Sequence, residues 1–127
     1  MQSNTMLAVA ATPEKLVKQR VVTALKRHGA YFFYPVTGGY GRSGVPDIVV
    51  CWQGRFIAIE CKANGGKPTA LQTKNLQEIA QTGGVAVLVD ETGVAPLVSL
   101  LDGWANSGVP PGAQSFNLLR GGDAKPI

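Results

Sequence analysis

Three charged residues flank a short hydrophobic hairpin near the middle of the chain: Asp47 before it, and Glu60 and Lys62 after it. Residues 48–52 and 55–59 are rich in β-branched and aromatic side chains, which favours two strands. The Gln-Gly pair between them has the length and the glycine of a two-residue turn. With that turn setting the register, Asp47 lies directly opposite Glu60, with Cβ atoms roughly 4.5–5.5 Å apart. Lys62 then shares their face of the sheet.

Two carboxylates at this separation repel each other, and one of them would ordinarily hold a proton. A bound cation removes that conflict. Carboxylate oxygens, water and substrate phosphate are the ligands that Mg²⁺ and Mn²⁺ prefer. The spacing therefore predicts a divalent-metal site beside a positively charged lysine. The alternative is an exposed group of charged side chains on a solvated sheet face.

The order of these residues, Pro-Asp at 46–47, a hydrophobic hairpin, then Glu-Cys-Lys at 60–62, resembles the PD-(D/E)xK nuclease superfamily. The segment 42–48, together with the glycine-rich loop and glutamine-bearing helix that follow the lysine, is similar to the VRR-NUC branch of that superfamily. Members of this branch include small stand-alone domains of phages and bacteria. The resemblance covers roughly residues 12–90, and it implies a restriction-endonuclease-like fold and metal-dependent cleavage of DNA.

The resemblance also implies roles for individual residues. Asp47, Glu60 and the main-chain carbonyl of Cys61 are expected to bind Mg²⁺ or Mn²⁺. Lys62 is expected to orient the attacking water and to stabilise the transition state. Hydrolysis is expected to leave a 5′-phosphate.

Glu14 and Gln72 each have a structural and a functional interpretation. Glu14 lies in the first turn of a predicted helix, where it can offset the helix dipole, but it also heads the apolar stripe and points inward. Gln72 forms a predicted capping box with Thr69, yet it also lies on the helix face that meets the sheet. Because related nucleases place a glutamate and a glutamine at these points, the resemblance favours Glu14 as a metal ligand and Gln72 as a catalytic residue.

The charge is unevenly distributed along the chain. Residues 1–46 carry six basic residues and one acidic residue, whereas residues 47–127 carry six basic and seven acidic residues. A basic first third next to an acidic site indicates that a polyanion is attracted by one part and cleaved by the other. An ordinary solvated helix surface and a plain glycine-rich loop are the alternatives. The predicted DNA contacts are Lys15, Lys18, Arg20, Arg42, Ser43 and Lys67.

The remaining elements follow from periodicity and turn signals. The predicted helices begin at residue 13, at residue 70 after the Thr69 cap, and at residue 94, and the other predicted strands cover 31–36, 85–89 and 115–119. The apolar run 85–89 is typical of a strand buried on both faces, and we expect it to lie parallel to the second hairpin strand. The sequence thus predicts an α/β fold with a mixed sheet of four or five strands flanked by two or three helices.

Length and composition favour one domain, over residues 12–119, between a loose leader at 1–11 and a loose end at 120–127. Cys51 and Cys61 fall on neighbouring strands but out of register, which argues against a disulfide, and a single histidine argues against a zinc site. Neither a signal peptide nor a membrane span is apparent. We therefore expect a soluble, cytoplasmic protein of a bacterium or a phage-infected host.

The functional expectation is a DNA endonuclease that is similar to Holliday-junction resolvases and acts on branched DNA as a homodimer. Two apolar features favour the dimer: the aromatic run 31–34, and a helix over 94–104 with apolar residues on more than one side. A flap or nicking nuclease is the alternative among enzymes. A DNA-binding module of the same fold without catalysis is the alternative of another class.

Overall fold

The structure, a computed structural model, describes residues 11–36, 38–112, 114–121 and 126–127. All but the last residue of the predicted leader lies outside the described residues. None of the helices in the described ranges is long and apolar enough to cross a membrane. At the other end, Ile127 donates its N–H to Ser115 Oγ at 3.0 Å and accepts a hydrogen bond from Gln77. The domain limits themselves remain a prediction.

The described residues form five strands and three helices, within the predicted range of four or five strands and two or three helices. The strands form one sheet in the order β1-β2-β3-β4-β5. β1, β2 and β3 are antiparallel to one another, whereas β3, β4 and β5 are parallel. In chain order the elements are α1 (Pro13–Arg27), β1 (Tyr31–Phe33), β2 (Ile48–Trp52), β3 (Arg55–Cys61), α2 (Ala70–Gln81), β4 (Val85–Val89), α3 (Val94–Ser107) and β5 (Gln114–Leu118), with a short 3₁₀ turn at Leu119–Gly121.

The β2–β3 hairpin has the predicted turn and register. Gln53 and Gly54 have φ values of 53° and 74°, so both occupy the left-handed region that a type I′ turn requires. Trp52 pairs with Arg55, and the ladder continues to the pair of Ile48 with Ile59. Because side chains alternate along each strand, this register sets which face carries the charged residues beyond the ladder.

The sheet is covered on both faces, but not equally. α1 and α3 pack on one face, where they bury the larger core. α2 packs on the other face over a smaller cluster. The larger core includes Val17, Val21, Leu25, Ile48, Val50, Ile57, Ile59, Val85, Val87, Val89, Leu97 and Leu101, and the smaller one Ala58, Leu76, Ala80, Ala86 and Leu88.

Most of the apolar side chains of α3 are buried or partly buried within the domain. Leu97, Leu101 and Trp104 are buried, and Val98 and Leu100 pack against the same core. α3 contacts α1 on one side and β5 on the other, so a helix that is apolar over more than one stripe can bury both. The apolar character of this helix therefore gives no support to a dimer.

Candidate active site

The predicted charged residues meet where β2 begins and β3 ends. Asp47 precedes β2, and its Oδ2 accepts a hydrogen bond from the N–H of Cys61 at 2.8 Å. This contact extends the hairpin pairing beyond the ladder, so Asp47 stands beside Glu60 as the register predicts. The Nζ atom of Lys62 lies 3.3 Å from Glu60 Oε2.

α1 contributes the third carboxylate. Thr12 caps the helix by accepting a hydrogen bond from the N–H of Lys15 at 3.2 Å, and Pro13 follows at the first helical position. The start of α1 thereby brings Glu14 to the hairpin. One carboxylate oxygen from each of Glu14, Asp47 and Glu60 lies within 4.8 Å of the others.

Glu60 is the least hydrated member of the group. Its residue surface is 1% exposed, and its Oε1 atom is buried without a hydrogen-bond partner among the described residues. Burial, reinforced by the negative charge of Asp47, raises the pKa of Glu60 to about 7, although Lys62 acts in the opposite direction. An ionised Glu60 therefore needs a further positive charge at this place.

The donor set fits a hard divalent cation. Three carboxylates converge, one from α1, one from the residue before β2 and one from β3. One of them offers a buried oxygen with no partner among the described residues, and oxygen is the ligand type that Mg²⁺ and Mn²⁺ prefer. A cation placed among them would satisfy Glu60 Oε1 and neutralise the mutual repulsion of the carboxylates.

The main chain and the thiol of Cys61 face different surroundings. Its N–H points toward Asp47, and in a strand the carbonyl of the same residue points to the same side, so the carbonyl oxygen is directed toward β2 as a metal ligand there requires. The thiol lies in the larger core, where burial and the nearby carboxylates raise its pKa. It is thus unsuited to act as a thiolate.

Comparisons with known proteins agree with this geometry. The chain is 25% identical in sequence to a solved structure described as a "VRR_NUC domain", with a TM-score of 0.60, covering 70% of this chain and 97% of that one. It is 28% identical over 86 residues to "Putative nuclease p44" of Acyrthosiphon pisum secondary endosymbiont phage 1, covering 67% of this chain and 90% of that protein. No family model matches the chain.

The predicted resemblance to the VRR-NUC domain is confirmed. The fold is accordingly restriction-endonuclease-like, and the VRR-NUC likeness supports a nuclease.

A cavity of about 420 Å³ adjoins the carboxylates of this VRR-NUC-like domain. Glu14, Lys62 and Lys67 line it, together with Asn64 in the turn after β3. Glu91 accepts a hydrogen bond from the N–H of Asn64 at 3.0 Å, which holds that turn in place. Lys67, a predicted DNA contact, therefore shares a cavity with two of the predicted site residues.

Gln72 adopts its structural role in this structure. Thr69 Oγ1 accepts a hydrogen bond from the N–H of Gln72 at 3.1 Å, and Gln72 Oε1 accepts one from the N–H of Thr69 at 2.9 Å. This is the predicted capping box. One rotamer cannot serve the cap and the carboxylates together, so a catalytic role for Gln72 remains a prediction that requires the cap to open.

Arg42 and Ser43, the predicted contacts of the glycine-rich loop, lie against α2. Arg42 forms a 2.7 Å ion pair with Glu78, about 9 Å along the helix axis from Gln72. The carbonyl of Ser43 accepts a hydrogen bond from Asn75 at 3.2 Å. Arg42 also lines a cavity with Gly54 and Arg55, at the end of β3 opposite Glu60, so a contact with a phosphate at the carboxylate cluster would require the ion pair to break.

The three predicted contacts of α1 divide between two sides of the helix. Lys15 and Lys18 line one groove together with Lys26. Arg20 is exposed, but it lies about 200° around the helix from Lys18 and does not line that groove. A DNA strand lying along one side of α1 cannot reach all three predicted residues together.

Several contributing residues were absent from the sequence predictions. Lys26 could have been found, because it follows Lys18 by eight residues and so returns to the same helix face. The sequence gives a weaker indication for Asn75, which is a polar residue next to the apolar Leu76 in the middle of a helix. The sequence gives no indication for Glu91, because its hydrogen bond joins segments 27 residues apart.

Proposed function

We propose that this chain is a Mg²⁺- or Mn²⁺-dependent endonuclease that hydrolyses phosphodiester bonds in branched DNA and works as a homodimer. The observation that carries the metal dependence is the buried Oε1 of Glu60, which has no partner among the described residues and lies beside two further carboxylates. The VRR-NUC likeness supplies the nuclease class.

Asp47, Glu60, Glu14 and the carbonyl of Cys61 are the groups that would hold the ion. A divalent ion bound there lowers the pKa of a coordinated water and neutralises charge on the scissile phosphate. Asp47 is held for this purpose by the N–H of Cys61. A positive charge bound there would favour the ionised form of Glu60 and would satisfy its free oxygen.

Lys62 supplies a fixed positive charge at the edge of the cluster. Its ammonium is anchored by Glu60 and is mostly buried, so little reorganisation accompanies its interaction with a negatively charged phosphate. We assign to it the orientation of the attacking water and the stabilisation of charge in the transition state. Lys67, across the same cavity, is placed to bind a neighbouring phosphate.

An uncovered area of the sheet supports the homodimer. α2 covers the part of its face formed by Ala58, Ala86 and Leu88, whereas Tyr31, Phe33 and Phe56 remain 68%, 48% and 49% exposed. Tyr31 pairs with Cys51, which pairs with Phe56, so these side chains lie on one face across three strands. A second copy placed on this area would bury it.

The test is cleavage of a panel of labelled DNAs: a four-way junction, a flap, a nicked duplex and a linear duplex, each with Mg²⁺, Mn²⁺ or EDTA. We expect cleavage only with a divalent cation and most rapidly at the junction. Lys62→Ala should lose about 10²–10³-fold in rate, while the exposed Lys74→Ala on α2 serves as the charge-matched control. Cleavage in excess EDTA contradicts metal dependence. If the flap or the nicked duplex is cleaved fastest, that DNA and not the junction is the preferred substrate.

The oligomeric state is tested separately by sedimentation equilibrium at micromolar protein. We expect the mass of two chains, and a smaller mass for the double variant Phe33→Ser and Phe56→Ser. The mass of one chain for the unaltered protein excludes the homodimer and leaves the nuclease assignment intact.

A further inference from the structure

A groove of about 440 Å³ runs beside α1, and none of the described residues that line it is acidic. Lys15, Lys18 and Lys26 line it from the helix, and Tyr34 lines it from the segment after β1. The three lysines lie within about 80° of one another around the helix and extend over about 16 Å of its axis. The groove therefore presents a row of positive charge.

Within the described part of the chain, the groove lysines form no ion pair. The ion pairs among the described residues join His28 to Asp102, Arg42 to Glu78, and Lys62 to Glu60, and none of them includes a groove lysine. Three like charges along one face repel one another, and a polyanion that displaces their counterions gains affinity from them. The charge pattern thus fits the phosphate backbone of a nucleic acid.

Tyr34 adds an aromatic surface to the row of lysines. Lys18 Nζ lies 4.4 Å from the centroid of its ring, and the residue is 46% exposed. A phosphate group can draw the Lys18 ammonium away from the ring, which leaves the ring free for a base. Aromatic rings among basic residues are typical of proteins that bind unpaired nucleotides, because the base faces of a duplex are already stacked.

The position of the groove links it to the candidate active site. Glu14, one of the three clustered carboxylates, directly precedes Lys15 on α1. The groove therefore begins next to the cluster and leads along α1 away from it. The cluster and the groove thus share the first turn of α1.

We propose that this groove binds unpaired nucleotides adjoining the cleavage position, with phosphates on Lys15, Lys18 and Lys26 and a base stacked on Tyr34. The inference rests on the proposed nuclease function and adds to it a second contact, which binds single-stranded DNA next to the cleavage position. Arg20, an earlier expected DNA contact, has no part in it.

The experiment measures binding of a fluorescein-labelled oligothymidylate of about 12 nucleotides, and of a blunt duplex, by anisotropy in EDTA over a range of salt concentrations. The double variant Lys18→Ala and Lys26→Ala should weaken single-strand binding and flatten the log–log salt slope by about 1.4, or about 0.7 per lost phosphate contact. The control is Arg20→Ala with Arg27→Ala, which removes the same charge from the opposite side of the same helix. The control should leave the salt slope unchanged.

Tyr34 provides the test of stacking. Tyr34→Ala should lower single-strand affinity by about 5- to 150-fold, while Tyr34→Phe retains it, and the duplex should respond little to either change. Thermal unfolding of each variant monitors the fold. Wild-type affinity of Tyr34→Ala, or equal losses in the lysine and arginine double variants, overturns the inference.

The outcome for the groove is distinguishable from the outcome for the nuclease. If the unaltered protein cleaves DNA with Mg²⁺ but the groove variants bind normally, the groove inference fails and the proposed function stands. If no divalent cation supports cleavage but the groove variants lose single-strand affinity, the proposed nuclease fails and the groove remains a nucleic-acid site.

Discussion

Glu60 and Asp90 are two buried carboxylates near the carboxyl ends of the neighbouring parallel strands β3 and β4, yet their surroundings differ sharply. Their residue surfaces are 1% and 2% exposed. One oxygen of Glu60 has no partner among the described residues, and the pKa of this group is raised to about 7. The pKa of Asp90 is lowered instead.

The hydrogen bonds account for the difference. Burial raises the pKa of Asp90, but donors from Thr92, Arg120 and Gly93 together outweigh that effect. Asp90 Oδ1 accepts from the N–H and hydroxyl of Thr92 and from the N–H of Gly93, and Oδ2 accepts from the N–H of Arg120. Burial alone therefore does not identify a functional carboxylate. A buried carboxylate with a free oxygen next to other carboxylates indicates a ligand site, whereas a fully bonded one secures a turn.

The largest expected effect is on the cleavage rate, which should fall when Glu60 is changed but not when Asp90 is changed. Glu60→Gln removes the charge of a proposed metal ligand and should lower the cleavage rate by about 10²–10³-fold or more. Asp90→Asn should change the rate little per folded molecule, because the hydrogen bonds of Asp90 within the described ranges go to Thr92, Gly93 and Arg120 and not to the cluster. Initial rates on the four-way junction, corrected for the folded fraction by circular dichroism, provide the measurement. Equal losses in the two variants contradict the distinction.

The next effect is a pH dependence of stability without metal. The pKa of folded Glu60 is raised from 4.5 to about 7, so its contribution is fully present below about pH 4.5 and is lost as the pH rises through about 7. That loss can reach about 3 kcal/mol of unfolding free energy. Asp90 has the opposite sign: its lowered pKa stabilises the fold above about pH 3.8, and this contribution is lost as the pH falls through the folded value.

Urea unfolding in EDTA between about pH 4 and 8 measures this profile. Glu60→Gln should remove the decline between about pH 4.5 and 7, and excess Mg²⁺ should diminish it in the unaltered protein, because the ion binds the ionised carboxylates. A decline of the same size in Glu60→Gln would assign it to other groups.

The smallest expected effect is the stability change of Asp90→Asn. The amide that replaces one carboxylate oxygen cannot accept a hydrogen bond, so either Arg120 or the Thr92 turn loses its acceptor. The unfolding free energy should fall by about 1–3 kcal/mol near neutral pH. The matched change Glu60→Gln in EDTA near pH 8 should instead maintain or raise stability. A loss of stability in both variants would mean that Glu60 is as well satisfied as Asp90.

The local features of the fold were determined by the sequence. The Gln53-Gly54 turn is a two-residue connection, so it sets the β2–β3 register and with it the position of Asp47 opposite Glu60. The caps at Thr12 and Thr69 involve residues three apart and were predictable for the same reason. The continuous apolar run of β4 indicated burial on both faces, and every residue of that strand is buried.

Contacts between segments that are distant in the sequence were decided only by the tertiary structure. The Arg42 and Glu78 ion pair, the position of Tyr34 beside the lysines of α1 and the burial of the apolar side chains of α3 arise from contacts between separate segments. Periodicity shows that a helix has an apolar side, but it does not specify which neighbours cover that side. The sequence could therefore identify Asp47, Glu60 and Lys62 as a group. Glu14 was also named from its place at the head of the apolar stripe and from the resemblance. Its contact with the hairpin, and the lack of a partner for Glu60 Oε1 among the described residues, depend on packing, because the ends of separate elements meet there.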